Sequence, residues 1–205
     1  MKPLGALFAV ATLVLSAQEN PGGNRMGIGL SGLAPVGDLG TDFNPGFQAG
    51  LQVFFNRESR HLGRLRIDYL QSDSKHAVQT GTYGYWDGSA WAAVPLLAKS
   101  RMEAYSIAYE WMPHLEDHSR SGVFGIFGMG GTLWNETLRP VYSPYGGGTY
   151  TETEWGFTLS AGVGYRFNPH AALEVRYVNS DVVFDHHPNY GSSRSFLTFG
   201  TSLRF

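Results

Sequence analysis

Residues 195–205 read SFLTFGTSLRF. Stepping back by two from Phe205 gives Leu203, Thr201, Phe199 and Leu197, while the intervening row is Arg204, Ser202, Gly200, Thr198 and Phe196. A repeat of two is the signature of a strand, because successive side chains leave a strand on opposite faces. One row is apolar and ends in a ring. A terminal aromatic on an apolar row suits a membrane interface, where aromatic side chains settle at headgroup level.

The same alternation recurs upstream. Residues 155–167 place Trp155, Phe157, Leu159, Ala161, Val163, Tyr165 and Phe167 on one face, against Gly156, Thr158, Ser160, Gly162, Gly164 and Arg166 on the other. Six further stretches are strand-like: 25–33, 46–55, 63–72, 101–111, 122–134 and 171–183. Stretch 122–134 has no clear phase, since both of its rows carry glycine and apolar residues. With 195–205 this makes eight strands. Each approaches the 9–11 residues that a tilted strand needs to cross a bilayer.

Composition narrows the class. Charged residues make up 16% of the 205-residue chain, against about 25% in an average soluble domain. There are 27 glycines and no cysteine, and the net charge of −2 gives no reason to expect nucleic acid. In residues 1–17, Lys2 precedes an apolar run over 4–15 and then Ser16 and Ala17, the pattern of a cleaved export signal. That run is shorter than the roughly 20 residues of a spanning helix. The expected organisation is therefore a signal peptide at 1–17 and a single barrel domain at 18–205.

Short connections at 56–62, 112–121 and 168–170 alternate with long ones at 34–45, 73–100, 135–154 and 184–194. Turns on one side and loops on the other is the plan of an outer-membrane barrel. The row opposite the apolar one is small and polar rather than charged, which fits the interior of a narrow barrel and not a water-exposed surface. The fold class expected is all-β, an eight-stranded antiparallel up-and-down transmembrane β-barrel. Phe55, Trp111, Phe167 and Phe205 are candidates for an inner aromatic girdle, and Phe47, Trp134, Trp155 and Phe184 for an outer one.

These features together resemble the small outer-membrane β-barrel proteins of Gram-negative bacteria, the OmpA/OmpX-like and porin-family group. The resemblance implies a place in the bacterial outer membrane among its lipids and lipopolysaccharide. It also implies that Leu197, Phe199, Leu203 and Phe205 form the signal read by the barrel-assembly machinery. No peptidoglycan-binding domain is expected after residue 205.

Chemistry-bearing residues are few. Arg64, Arg66, Asp68, Glu110, Arg166, Glu174, Arg176 and Arg204 fall on inward rows, with Arg64 or Arg66 expected near Glu110, and Arg166 or Arg204 near Glu174. Such a network either fills the bore or gates it. His186 and His187 are adjacent and diverge on an extended chain. The His-x-Ser motif of lipid A deacylases, which the resemblance brings to mind, fails because Pro188 and Asn189 follow His187; Ser180 and Ser192 keep a lipid-modifying hydrolase as an alternative. His61, His76, His114, His118 and His170 read as solvated turn or loop residues. No cofactor or metal pattern is present. Loops 75–99 and 135–154 are rich in Tyr, Trp, Gly and Ser, a composition suited to adaptable contact surfaces, to folding over the mouth, or to strands running past the membrane. The function expected is structural or surface-interacting, not enzymatic, with the extracellular ligand open and a narrow small-solute channel as a further alternative.

Overall fold

The computed structural model describes residues 25–55, 61–86, 88–116, 121–142, 148–182 and 193–205. The export-signal expectation at 1–17 therefore lies outside the described residues, as do Phe184, His186 and His187.

Among the described residues, nine strands and one short helix follow in chain order: β1 Arg25–Val36, α1 Asp38–Asp42, β2 Gly46–Phe55, β3 His61–Asp73, β4 Val78–Trp86, β5 Trp91–Pro113, β6 Gly122–Tyr142, β7 Tyr150–Asn168, β8 Ala171–Val182 and β9 Ser193–Arg204. The sheet order is β3-β2-β1-β9-β8-β7-β6-β5-β4, and β3 also pairs with β5. That last pairing runs from His61 opposite Pro113 to Asp73 opposite Arg101 and closes the cylinder. Eight strands make the barrel, all antiparallel. A closed sheet leaves no edge of unpaired backbone groups in the hydrocarbon, which is what permits strands to cross a bilayer.

The ninth strand is the main departure from the sequence reading. Stretch 75–99, expected as a loop, forms a hairpin: β4 pairs with the first part of β5 from Val78 opposite Ala98 to Trp86 opposite Trp91. The fourth barrel strand thus starts ten residues earlier than the sequence placed it and runs past the rim. Gly88 turns the hairpin at φ 101°, a conformation that side chains rarely adopt. β6 and β7 are also prolonged, with Leu138 still opposite Tyr150. The β5–β6 register shifts between Leu97 and Ala98, next to Pro140, which has no N–H to give to a ladder.

Side-chain direction follows the two-residue repeat. On β7, the row from Trp155 to Phe167 is exposed, while Gly156, Thr158, Gly164 and Arg166 are buried. On β3, the buried row reads Leu62, Arg64, Arg66, Asp68 and Leu70 from the turn end upward. The interior is consequently layered. A lower apolar layer holds Phe54, Leu62, Met112, Phe124, Ile126 and Ala172. An upper one holds Leu33, Phe43, Leu70, Met102, Ala104, Trp134 and Phe196, with Leu39 of α1 packed against it. Arg64, Arg66, Asp68, Glu110, Glu174 and Arg176 lie between them.

Candidate functional site

The middle layer is an ion-pair lattice spanning the bore. Arg64 donates from Nε to Glu110 (2.6 Å) and from Nη2 to Glu174 (2.8 Å). Arg66 holds Asp68 with both Nε (3.0 Å) and Nη2 (2.9 Å), and reaches Glu174 from Nη1 at 3.4 Å. Arg176 donates to Glu110 at 2.9 Å and to Gln48 at 3.2 Å. Gln52 accepts from Arg64 (3.3 Å) and from the Ser202 hydroxyl (2.7 Å). Three guanidiniums face three carboxylates, all buried, so the layer is formally neutral. In so dry a place each charge needs its partner.

Arg64 and Arg66 do meet Glu110, the latter at 4.0 Å. Glu174, expected near Arg166 or Arg204, has its carboxylate on Arg64, Arg66 and Arg176. Arg166 lies within electrostatic reach of Glu174, as expected, and both line one cavity with Arg204; the Arg166 guanidinium sits over the Phe124 ring at 5.6 Å and that of Arg204 over Phe54 at 5.0 Å, beside the lower apolar layer.

Trp134 corrects the girdle assignment. It is 2% exposed and points into the bore, whereas Trp155 on the adjoining strand is 58% exposed. Register explains the difference: Trp155 faces Leu133, so Trp134 takes the opposite row with Glu154. Its indole stacks on Phe196 at 5.5 Å and 16°. Its Nε1–H donates to the Ser180 hydroxyl (3.0 Å), which also meets Thr158 at 3.1 Å. The other girdle rings Trp111, Phe167 and Phe205 are exposed, and Phe55 is half-buried. Leu197, Phe199, Leu203 and Phe205 all point outward, and the Phe205 amide donates to the Met26 carbonyl at 2.9 Å.

Above Trp134, Arg194 pairs with Glu154 (2.8 Å) and Glu136 (3.8 Å) and covers the indole at 5.2 Å. Loop residues 37–44 then close over this end. The Phe43 amide donates to Leu39 (3.0 Å), Phe43 pairs with Ser74, and the Asn44 amide donates to Asp73 (2.9 Å).

The four described histidines do not converge; His118, like His186 and His187, lies outside the described residues. His61 stacks on Trp111 at 5.6 Å, and His76 approaches Asp42 at 3.6 Å. His170 lies 2.9 Å from the Arg204 carbonyl through Nδ1. His114, expected in solvent, is buried against Phe124 at 5.0 Å, because it continues the inward row of Met112 and bridges to Phe124 of β6. Among the described residues, no group of three or more His, Cys, Asp or Glu could hold a metal.

The family profile described as outer membrane protein beta-barrel domain matches residues 4–205. The chain belongs to this family. Its place is accordingly the bacterial outer membrane, with the short turns toward the periplasm and the hairpin outside. The fold is shared with Neisserial surface protein A, at a TM-score of 0.51 and 16% identity, covering 89% of this chain and 97% of that one. It is also shared with the N-terminal β-barrel domain of Pseudomonas aeruginosa OprF, at a TM-score of 0.50 and 10% identity, covering 88% and 97%. In sequence, no curated protein matches the chain.

Proposed function

We propose that this outer-membrane barrel is a non-enzymatic surface protein that makes contact through its outer hairpin, the barrel serving as a rigid, non-conducting mount. The observation that carries this reading is the hairpin itself. Over 78–98 its only charged residue is Asp87. At its tip Trp86 (57% exposed) meets Trp91 (75% exposed) edge-on at 6.0 Å, and Tyr85 is exposed beside them. Large rings held by a β-ladder offer contact area at small entropic cost. Isolated exposed apolar residues need no explanation, but a clustered patch of them marks a contact site.

Support for the non-conducting mount comes from the two apolar layers and the ion-pair lattice stacked across the bore. Against a lipid-modifying hydrolase stands Ser180, whose hydroxyl is buried and engaged by Trp134 and Thr158. The outward C-terminal row of Leu197, Phe199, Leu203 and Phe205 supports its reading as the assembly signal.

The test compares cells producing the full chain with cells producing a Trp86→Ser/Trp91→Ser double variant, scored for attachment to an epithelial monolayer and to a bacterial lawn. Attachment should fall several-fold at equal surface abundance. Equal attachment rejects the contact role, conductance steps in a planar bilayer would reject the sealed bore, and altered lipid A on overproduction would restore the hydrolase.

A further inference from the structure

On the outside of the barrel, the outward row of β5 climbs from the exposed Trp111, Tyr109, Ile107 and Tyr105 through the half-buried Glu103 and Arg101 to the exposed Lys99. Ten residues at about 3.3 Å each, tilted by about 40°, rise about 25 Å, which is the height of the apolar band on such barrels. Arg101 and Lys99 therefore stand at the outer lipid–water boundary. Across the ladder, Lys99 lies directly opposite Arg139 of β6, with both side chains exposed. Like charges in register on one face destabilise a sheet.

The acids nearby do not relieve this opposition. Asp73 is taken by Arg101 at 2.8 Å. Glu103 stands four residues below Lys99, opposite Asn135. Lys75, the next cation toward loop 37–44, gives its ammonium to the Gly40 carbonyl. Among the described residues, Lys99 and Arg139 make no ion pair.

We propose that Lys99 and Arg139, with Arg101 beside them, form a binding site for the phosphate of a phosphorylated glycolipid in the outer leaflet. An anion between the opposed cations replaces their repulsion with two attractions. The arginine fork suits the oxygens of a phosphate, and the ammonium adds a point charge. A lipid is favoured over a free ion by what lies beneath: Tyr105 and Leu133 face each other in register on the same outward side, with Trp155 opposite Leu133. These rings and the leucine would carry the acyl chains. The site is separate from the hairpin tip, so the contact role can fail without affecting it.

The experiment uses the full chain folded in zwitterionic detergent, titrated with lipid A carrying both phosphates or none. The native protein should prefer the phosphorylated form by about tenfold, the order expected from two boundary cations. A Lys99→Gln/Arg139→Gln double variant should lose that preference, and Lys99→Arg should keep it. Millimolar inorganic phosphate should not displace the lipid. Folding of each variant is checked by the heat-dependent gel mobility of closed barrels. Without lipid, the double variant should unfold at the same midpoint as the native protein or at a higher one, since a repulsion has been removed. Four results would overturn the site: equal binding of both lipids by the native protein, an undiminished preference in the double variant, displacement by inorganic phosphate, or a lowered midpoint without lipid.

Discussion

The bore and the hairpin are built from the same antiparallel ladder and put to opposite uses. Inside the barrel, Arg64, Arg66, Asp68, Glu110, Glu174 and Arg176 are buried and matched charge for charge. Along 78–98 there is almost no charge, and the largest rings face water. Ordinary globular proteins do the reverse, with rings inside and charges outside. The comparison teaches that here the solvent on the far side of each surface sets the pattern. Lipid removes charges from the barrel exterior and confines them to the bore, while the hairpin, beyond the lipid, is free to expose rings for contact.

The largest effect that could break this picture comes from unbalancing the bore. Glu174→Ala would leave Arg64 and Arg66 each short of a partner in a dry layer. Removing one side of a buried pair typically costs about 3–5 kcal/mol. The expected result is a large drop in the urea midpoint of the lipid-reconstituted barrel, and an unchanged midpoint would mean that water, not the lattice, fills the bore.

The two tryptophans Trp134 and Trp155 sharpen the inside–outside contrast with a somewhat smaller effect. Trp134→Ala opens the upper apolar layer and removes one of the two donors to the Ser180 hydroxyl, at a cost of about 3 kcal/mol or more. Trp155→Ala should cost clearly less, since its ring already faces lipid. The same pair gives a spectroscopic check. Brominated lipids should quench Trp155 emission and spare Trp134, and equal quenching would refute the register of β6.

Where the sequence was legible and where it was not follows from what alternation can encode. The outward rows of β7 and β9 were plain because their two faces differ at almost every step. β6 was not, because glycines at 125, 128, 130 and 131 occupy both rows, so that Trp134 carries only its position near a strand end and no row. The outward placement of Trp155, combined with a one-residue offset to Leu133, carries the information that corrects it. Strand adjacency made the Arg64–Glu110 contact foreseeable, as these residues face each other in register. The Arg64–Glu174 pair joins β3 and β8 across the bore, and no pattern along the chain reports such a distance. The hairpin was missed because Ala92, Ala93, Val94, Pro95, Leu96 and Leu97 run without alternation, so a strand with little to bury on either face looks like a loop.

The smallest stability effect should come from the hairpin, and that is its value as a control. Replacing 78–98 with a short turn removes β4 and the projecting start of β5 but leaves the β3–β5 closure from His61 to Asp73 intact. The three interior layers keep all of their residues; Ala98, buried beside the hairpin's base, belongs to none of them. A segment with few buried apolar contacts adds little to global stability, so the urea midpoint should shift by no more than a change of about 0.5 kcal/mol would produce. Heat-dependent gel mobility should also persist. A collapse of the barrel on this deletion would show that β4 is structural, and the division between a self-sufficient mount and a dispensable contact arm would have to be abandoned.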